Sequence, residues 1–141
     1  MSAPYRGQCL CGAVKYEVDG FNERMANCHC SMCRKFHGAA FATYGEARTS
    51  DLRWLEGEEE LAAYTADNGT TRRFCRRCGS SMTFSSVNYP EGIVEIALGT
   101  LDSNIEMSPD AHIFVGSKAS WSEILDDLPQ YVGDRKSRRL K

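Results

Sequence analysis

Residues 7–12 of this chain read GQCLCG, residues 28–33 read CHCSMC, and residues 74–79 read FCRRCG. These three short segments hold all seven cysteines of a 141-residue protein. Tetrahedral zinc binds sulfur at about 2.3 Å, so its sulfur ligands lie about 3.8 Å apart, and a tight turn or a curled strand end brings closely spaced cysteines to that distance. Free cysteines that only fill a core show no such spacing. The pattern therefore predicts metal ligation.

The number of cysteines indicates two sites of different kinds. A structural zinc site is closed by four ligands, whereas a catalytic site has three protein ligands and one open position. Seven cysteines then divide into a four-ligand site and a triad: Cys9, Cys11, Cys75 and Cys78, and Cys28, Cys30 and Cys33. Two alternatives stay open at this point. One is a ribbon-like site made from residues 30–33 and 75–78, and the other is a metal-free redox centre in the triad.

Composition and charge narrow the class of protein. A length of 141 residues predicts one domain over residues 1–141, and 42% hydrophobic with 26% charged residues is typical of a globular chain. A net charge of −2 provides no overall attraction to nucleic acid, and no apolar run is long enough to span a membrane. The odd number of cysteines and the absence of a signal-like N-terminus favour a cytoplasmic protein with reduced thiols.

Short alternating segments predict a small, mainly β, antiparallel domain. The predicted strands are Val14–Val18, Ala40–Tyr44, Leu52–Leu55, Leu61–Thr65, Arg72–Cys75, Met82–Ser85, Ile93–Leu98 and His112–Val115. Residues 31–38 predict one helical turn, with Ser31 as its cap and Gly38 as its stop, and residues 122–128 predict a second turn before Pro129. The basic tail, about 134–141, is expected to be a disordered, solubilising end.

Several motifs together resemble the glutathione-dependent formaldehyde-activating enzyme family, which includes the centromere protein V group. They are GQCLCGAVKYEV, CHCSMCRKFHGAAF, FCRRCGSSM, ALGTLD, HIFVGSKASW and LPQY, in this order from about Gly7 to about Tyr131. The resemblance implies a zinc-stapled, β-tent-like fold. It also implies that the outer cysteine pairs hold a structural zinc and that the triad holds a catalytic, more labile zinc.

The resemblance further implies a carbon-sulfur lyase or synthase that joins glutathione to formaldehyde as S-hydroxymethylglutathione. Zinc bound by three thiolates favours a soft thiol over water as its fourth ligand, which suits that chemistry. Arg34 and Lys35 are candidates for binding the glutathione carboxylates. His37, one helical turn after Cys33, is a candidate for proton transfer. The alternative function is a non-catalytic, zinc-stapled binding module.

The two other histidines favour structural roles. In an extended C-H-C segment the His29 side chain points away from its cysteine neighbours, which counts against a role as a base. His112 lies in the apolar segment HIFV and is expected to be a partly buried, hydrogen-bonded histidine. Asp126 and Asp127 are adjacent in sequence and so face apart, which excludes them as a paired acid and base.

Overall fold

The computed structural model describes residues 3–141 and is mainly β. Its ten strands are β1 (Tyr5–Gln8), β2 (Lys15–Val18), β3 (Ala26–Cys28), β4 (Ala42–Arg48), β5 (Leu52–Glu56), β6 (Leu61–Thr65), β7 (Thr70–Cys75), β8 (Ser81–Ser86), β9 (Ile93–Ala97) and β10 (Ala111–Ile113). One α-helix, α1, covers Ser31–His37. Short 3-10 turns cover Thr49–Asp51, Glu58–Glu60, Leu98–Thr100 and Val115–Ser117. None of the helices in residues 3–141 is long and apolar enough to cross a membrane.

Local patterns predicted most of these elements. Each strand expected from alternation is present, Leu61–Thr65 with the predicted bounds and the others with shifted ends. Helix α1 ends at Gly38 in the left-handed conformation, as expected. The cap of α1 is Cys30 rather than Ser31, because the Cys30 sulfur accepts a hydrogen bond from the Cys33 N–H at 3.2 Å. Residues 122–128 form no helix. Strands β1 (YRGQ) and β3 (ANC) were not predicted, and neither contains a β-branched residue, the type most enriched in strands.

The chain folds as two compact units, and strand β4 runs from one into the other. The first unit comprises the described residues up to Glu23 together with Gly45–Met107, and the second comprises Arg24–Tyr44 and Ser108–Lys141. The organisation of residues 1–141 as a single domain stays a prediction.

The first unit is built from antiparallel strands around one apolar core. Strands β1, β2 and β5 form a three-stranded sheet, and β9, β8, β7 and β6 are neighbours in that order. The core contains the fully buried side chains of Tyr16, Met82 and Ile96 and also the thiols of Cys9 and Cys75. Two cysteines that are far apart in sequence are therefore part of the packed interior of this unit.

The second unit centres on β3, which has an antiparallel and a parallel neighbour. Asn27 pairs with Thr43 on β4 in antiparallel register and with His112 on β10 in parallel register. The parallel pair departs from the expected all-antiparallel arrangement. Parallel strands need a long connection, and the many residues between β3 and β10 supply one.

The basic tail is ordered by backbone hydrogen bonds within the second unit. The His112 N–H donates to Pro129 O at 2.8 Å, and the Tyr131 N–H donates to His112 O at 2.9 Å, so this segment extends along β10. Residues 138–141 then fold back on it, with the Gln130 N–H donating to Lys141 O at 2.8 Å. Arg135 also pairs with Asp110 at 2.6 Å. The expectation of a disordered tail was wrong because its backbone groups find partners at this edge.

Candidate metal centres

The first unit brings four cysteine sulfurs into one cluster. The sulfurs of Cys9, Cys11, Cys75 and Cys78 all lie within 4.8 Å of one another. The Cys9 to Cys11 separation is 3.6 Å and the Cys11 to Cys75 separation is 3.9 Å, close to the roughly 3.8 Å between sulfurs around tetrahedral zinc. The four side chains thus fit a closed four-thiolate site.

Each cysteine pair lies on a tight turn that ends in glycine. Gly12 has a φ of 80° and donates its N–H to Cys9 O, and Gly79 has a φ of 80° and donates to Cys75 O. Positive φ strains any residue with a Cβ, so glycine is the residue that closes both turns without that penalty. The Leu10 N–H also donates to the Ser80 hydroxyl at 2.8 Å, which connects the two turns.

One thiol of this cluster is set up to ionise. Burial acts to raise the pKa of Cys78, but hydrogen bonds from Ser80, Cys11 and Cys75 outweigh it and lower the pKa to about 5. Thiolate, not thiol, is the form that binds a metal. At Cys11 a backbone hydrogen bond from Ala13 acts to lower the pKa, but burial and the neighbouring cysteine sulfurs raise it to about 11, so the four thiols do not ionise alike.

The second unit holds the remaining three cysteines. Cys28 ends β3, Cys30 caps α1, and Cys33 lies in the first turn of α1, with all three sulfurs within 4.8 Å of one another. Cys28 and Cys33 are buried and Cys30 is partly exposed. In residues 3–141 no further histidine, cysteine or carboxylate joins this cluster. The seven cysteines therefore group as four and three, and the ribbon-like alternative is not seen.

Ionisation of Cys28 beside the other two sulfurs is disfavoured when no cation is bound. The sulfurs of Cys30 and Cys33, together with burial, raise the pKa of Cys28 far above its ordinary value. Like charges at this distance repel strongly in a partly buried site, and a divalent ion would remove that cost. Three convergent soft donors fit zinc with one position left for another ligand.

A chain of hydrogen bonds lies beside the triad and was not predicted. His29 Nε2 lies 2.8 Å from His112 Nδ1, and His112 Nε2 lies 2.9 Å from the Asp126 carboxylate. Both histidines are buried, and burial, reinforced by His112 and Lys118, lowers the pKa of His29 to about 4. The predicted structural role of the histidines fits these contacts. Asp126 was missed because no local pattern marks a contact to a residue 14 positions away.

The candidate substrate residues lie on α1. His37 Nε2 is 2.8 Å from the Tyr44 hydroxyl, which fixes one side of the ring. Arg34 is partly buried, and its Nε has no hydrogen-bond partner among the described residues, whereas Lys35 is exposed. Arg76 and Arg77 also follow a cysteine, but both pair with Glu60, at 2.7 and 3.2 Å. The roles of Arg34, Lys35 and His37 stay predictions.

Comparisons with known proteins agree with the resemblance seen in the sequence. A protein of Halomonas elongata named "Putative glutathione-dependent formaldehyde-activating enzyme" is 31% identical over 125 residues, which cover 84% of this chain and 79% of that protein. An uncharacterized lyase of Schizosaccharomyces pombe is 25% identical over 84 residues, covering 60% of this chain and 59% of that protein.

A solved structure is also similar. The crystal structure of a Rhodobacter sphaeroides protein matches with a TM-score of 0.61 and 32% identity, covering 72% of this chain and 91% of that one. The model of the family described as glutathione-dependent formaldehyde-activating enzyme matches residues 4–117, a range that contains all seven cysteines. This chain therefore belongs to the glutathione-dependent formaldehyde-activating enzyme family.

Proposed function

We propose that this protein is a zinc-dependent carbon-sulfur lyase or synthase that acts on glutathione and formaldehyde or on a related thiol-aldehyde adduct. The observation that carries the proposal is the cluster of three cysteine sulfurs in the second unit, to which the described residues add no fourth ligand. Family membership and the names of the relatives support the same chemistry. We also propose a cytoplasmic location, where glutathione and free thiols are reduced.

The reaction needs little from the protein. In the forward direction the glutathione S–H bond breaks, the sulfur forms a bond with the formaldehyde carbon, and a proton is added to the carbonyl oxygen. The reverse reaction returns these atoms, so neither direction needs an oxidant or a reductant. A site that holds the thiol as a thiolate, binds its carboxylates and supplies one proton is sufficient.

The two groups of cysteines would have different roles, one structural and one catalytic. Cys9, Cys11, Cys75 and Cys78 would hold a structural zinc, and Cys28, Cys30 and Cys33 would hold a catalytic zinc. The catalytic ion would supply a soft, electropositive position that lowers the pKa of an incoming thiol. The helix cap made by Cys30 holds its sulfur against the Cys33 N–H, which limits the movement of the triad.

Residues of α1 would orient glutathione and move the proton. Arg34 is the better candidate for a substrate carboxylate, because its side chain is only partly exposed and its charge is therefore screened less by water than that of an exposed lysine. Lys35, which is exposed, would contribute a weaker, screened attraction. His37, oriented by the Tyr44 hydroxyl, would exchange the proton of the adduct.

The direct test is exchange NMR of glutathione with formaldehyde in the presence of reduced, zinc-loaded protein. We expect the wild type to accelerate interconversion with S-hydroxymethylglutathione and the Cys30→Ser variant to lose this acceleration. Serine preserves the helix cap, so the variant changes the triad without removing the start of α1. No acceleration by wild type with two zinc ions bound would refute this function and favour the binding module. A reversible disulfide within the triad under mild oxidant would favour a redox centre.

The substrate role of Arg34 has a separate test. We expect Arg34→Gln to raise KM for glutathione about tenfold or more, because a charge-assisted contact to a carboxylate is lost. Lys35→Gln is the matched control, with the same charge change on the same helix and a smaller effect on KM. An equal effect of the two variants would show that only the overall positive charge of α1 matters.

A further inference from the structure

Asp126, His112 and His29 form one continuous hydrogen-bonded chain that the proposed reaction does not use. His29 is 0% and His112 is 2% exposed. The rings also pack against Phe41, with centroid distances of 5.0 Å to His29 and 6.1 Å to His112. Water therefore has no access to these ring nitrogens, and their protons are set by the neighbouring groups.

At the Asp126 end of this hydrogen-bonded chain, the direction of the hydrogen bond is fixed. The His112 hydrogen bond holds the pKa of Asp126 below its usual range, so the group is a carboxylate, which only accepts hydrogen bonds. Its Oδ1 accepts the Leu128 N–H at 3.0 Å, and both of its oxygens face His112 Nε2, Oδ2 at 2.9 Å and Oδ1 at 3.1 Å. His112 must therefore carry a proton on Nε2 and donate it to Asp126.

The direction of the hydrogen bond between His112 and Asp126 determines the direction of the hydrogen bond between His29 and His112. Where His112 Nδ1 accepts, His29 donates from Nε2 and its own Nδ1 carries no proton. That atom is buried with no hydrogen-bond partner among residues 3–141. The opposite arrangement would place an unpaired N–H there, and buried orphan N–H groups are rarer than orphan acceptors. The geometry thus selects one tautomer for both rings.

His29 is also held through its backbone, between two cysteines of the triad. Its N–H donates to Ile113 O at 2.9 Å, and its carbonyl accepts from the Ser117 hydroxyl at 3.3 Å. Side chain and backbone together attach the residue between Cys28 and Cys30 to the segment that contains β10. A change at Asp126 would therefore reach the triad through His112 and His29.

We propose that Asp126 is a positioning residue for the cysteine triad: through His112 it fixes His29 with its proton on Nε2 and a bare Nδ1, and so holds the Cys28–Cys30 segment. Asp126 touches neither a sulfur nor a substrate in this assignment. It acts at a distance through two rings. Groups hydrogen-bonded behind metal ligands commonly have this orienting effect on the ligands themselves.

The test is the protonation pattern of the two rings in histidine-labelled protein. Long-range ¹H–¹⁵N NMR on the full, reduced, zinc-loaded chain distinguishes a protonated ring nitrogen from a bare one. We expect the wild type to show Nε2 protonated and Nδ1 bare in both His29 and His112. A doubly protonated His112, or a proton on His29 Nδ1, would overturn the proposal without any variant.

The variant Asp126→Asn gives a stronger prediction. Its amide oxygen should keep the Leu128 N–H bond, which leaves that oxygen 3.1 Å from His112 Nε2 and places the amide NH₂ nearer, at 2.9 Å. The nearer group changes from an acceptor to a donor, and this change selects the other tautomer. We expect both rings to move their proton to Nδ1. The matched control Asp127→Asn removes the same charge one residue away and should keep the wild-type pattern. An unchanged pattern in Asp126→Asn would overturn the proposal.

Metal affinity tests the connection to the triad. We expect Asp126→Asn to weaken zinc binding at the triad by about tenfold, measured by competition with a chelator, while the four-cysteine site and the Asp127→Asn variant are unchanged. Equal zinc affinity in Asp126→Asn and wild type would overturn the positioning role. Neither measurement uses turnover, so their failure is distinct from failure of the proposed reaction.

Discussion

Cys78→Ser removes one sulfur from the four-cysteine cluster and tests whether an ion there holds the first unit together. Cys78 is partly exposed, so serine leaves no cavity in the core, unlike a change at the fully buried Cys75. The metal would join chain segments whose contacting cysteines, Cys11 and Cys75, are 64 residues apart. The loss of stability in the variant therefore measures how much this cross-link contributes to the free energy of unfolding.

The length of the loop that the ion would close determines how much stability the variant is expected to lose. Treated as a cross-link, a closed loop of 64 residues lowers the entropy of the unfolded chain by an amount worth about 4 kcal/mol at 25 °C. That is a large part of the 5–15 kcal/mol by which a typical domain is stable. For a chain of 141 residues it corresponds to a fall in melting temperature of about 13 °C.

Thermal melting under reducing conditions, with zinc counted by native mass spectrometry, measures both effects. We expect Cys78→Ser to lose one zinc and to melt about 13 °C lower than wild type. The matched control is Cys30→Ser, which also loses one zinc but opens a loop of only a few residues, worth about half as much free energy. Two retained ions with wild-type melting in Cys78→Ser, or equal shifts in the two variants, would refute the reasoning.

The other predictions concern metal, turn geometry and pH. Chelation of both ions should lower the melting temperature of wild type at least to that of Cys78→Ser, and a smaller shift would argue against a structural ion. Gly79→Ala should destabilise the protein by about 1 kcal/mol in chemical denaturation because of its φ of 80°, whereas Gly20→Ala, with open space around the new Cβ, should not. Burial, reinforced by Glu46, raises the pKa of Glu95 to about 7. Between pH 4.5 and 7 the folded protein therefore keeps a proton on Glu95 that the unfolded chain has lost, and the free energy of unfolding falls as the pH rises through that range. Glu95→Gln should remove this pH dependence. We expect the variant to be more stable than wild type by up to about 3 kcal/mol at pH 8 and no more stable than wild type at pH 4. A difference in stability that does not change with pH would contradict the assignment.

Local geometry explains what could be read from the sequence. The spacing of the cysteines and the glycines at positions 12 and 79 are requirements of tight turns, which act over a few residues and are visible in the letters. The same holds for Gly38 at the end of α1 and for the alternating segments that became strands. The division of the cysteines into four and three was also open to prediction, since it follows from counting ligands.

Long-range contacts decided the rest. Spacing alone could not choose between the two ways of combining the cysteine pairs, because the choice depends on which strands pack together. The contact between His29 and His112 spans 83 positions and follows from the parallel register of β3 with β10, and the tail is ordered by the open edge of β10. The sequence by itself thus determined the ligands and their turns, while only the tertiary structure decided which turns meet and which histidine and aspartate stand behind the triad. The physical reason is that turn geometry is local, whereas strand register depends on the packing of the whole unit.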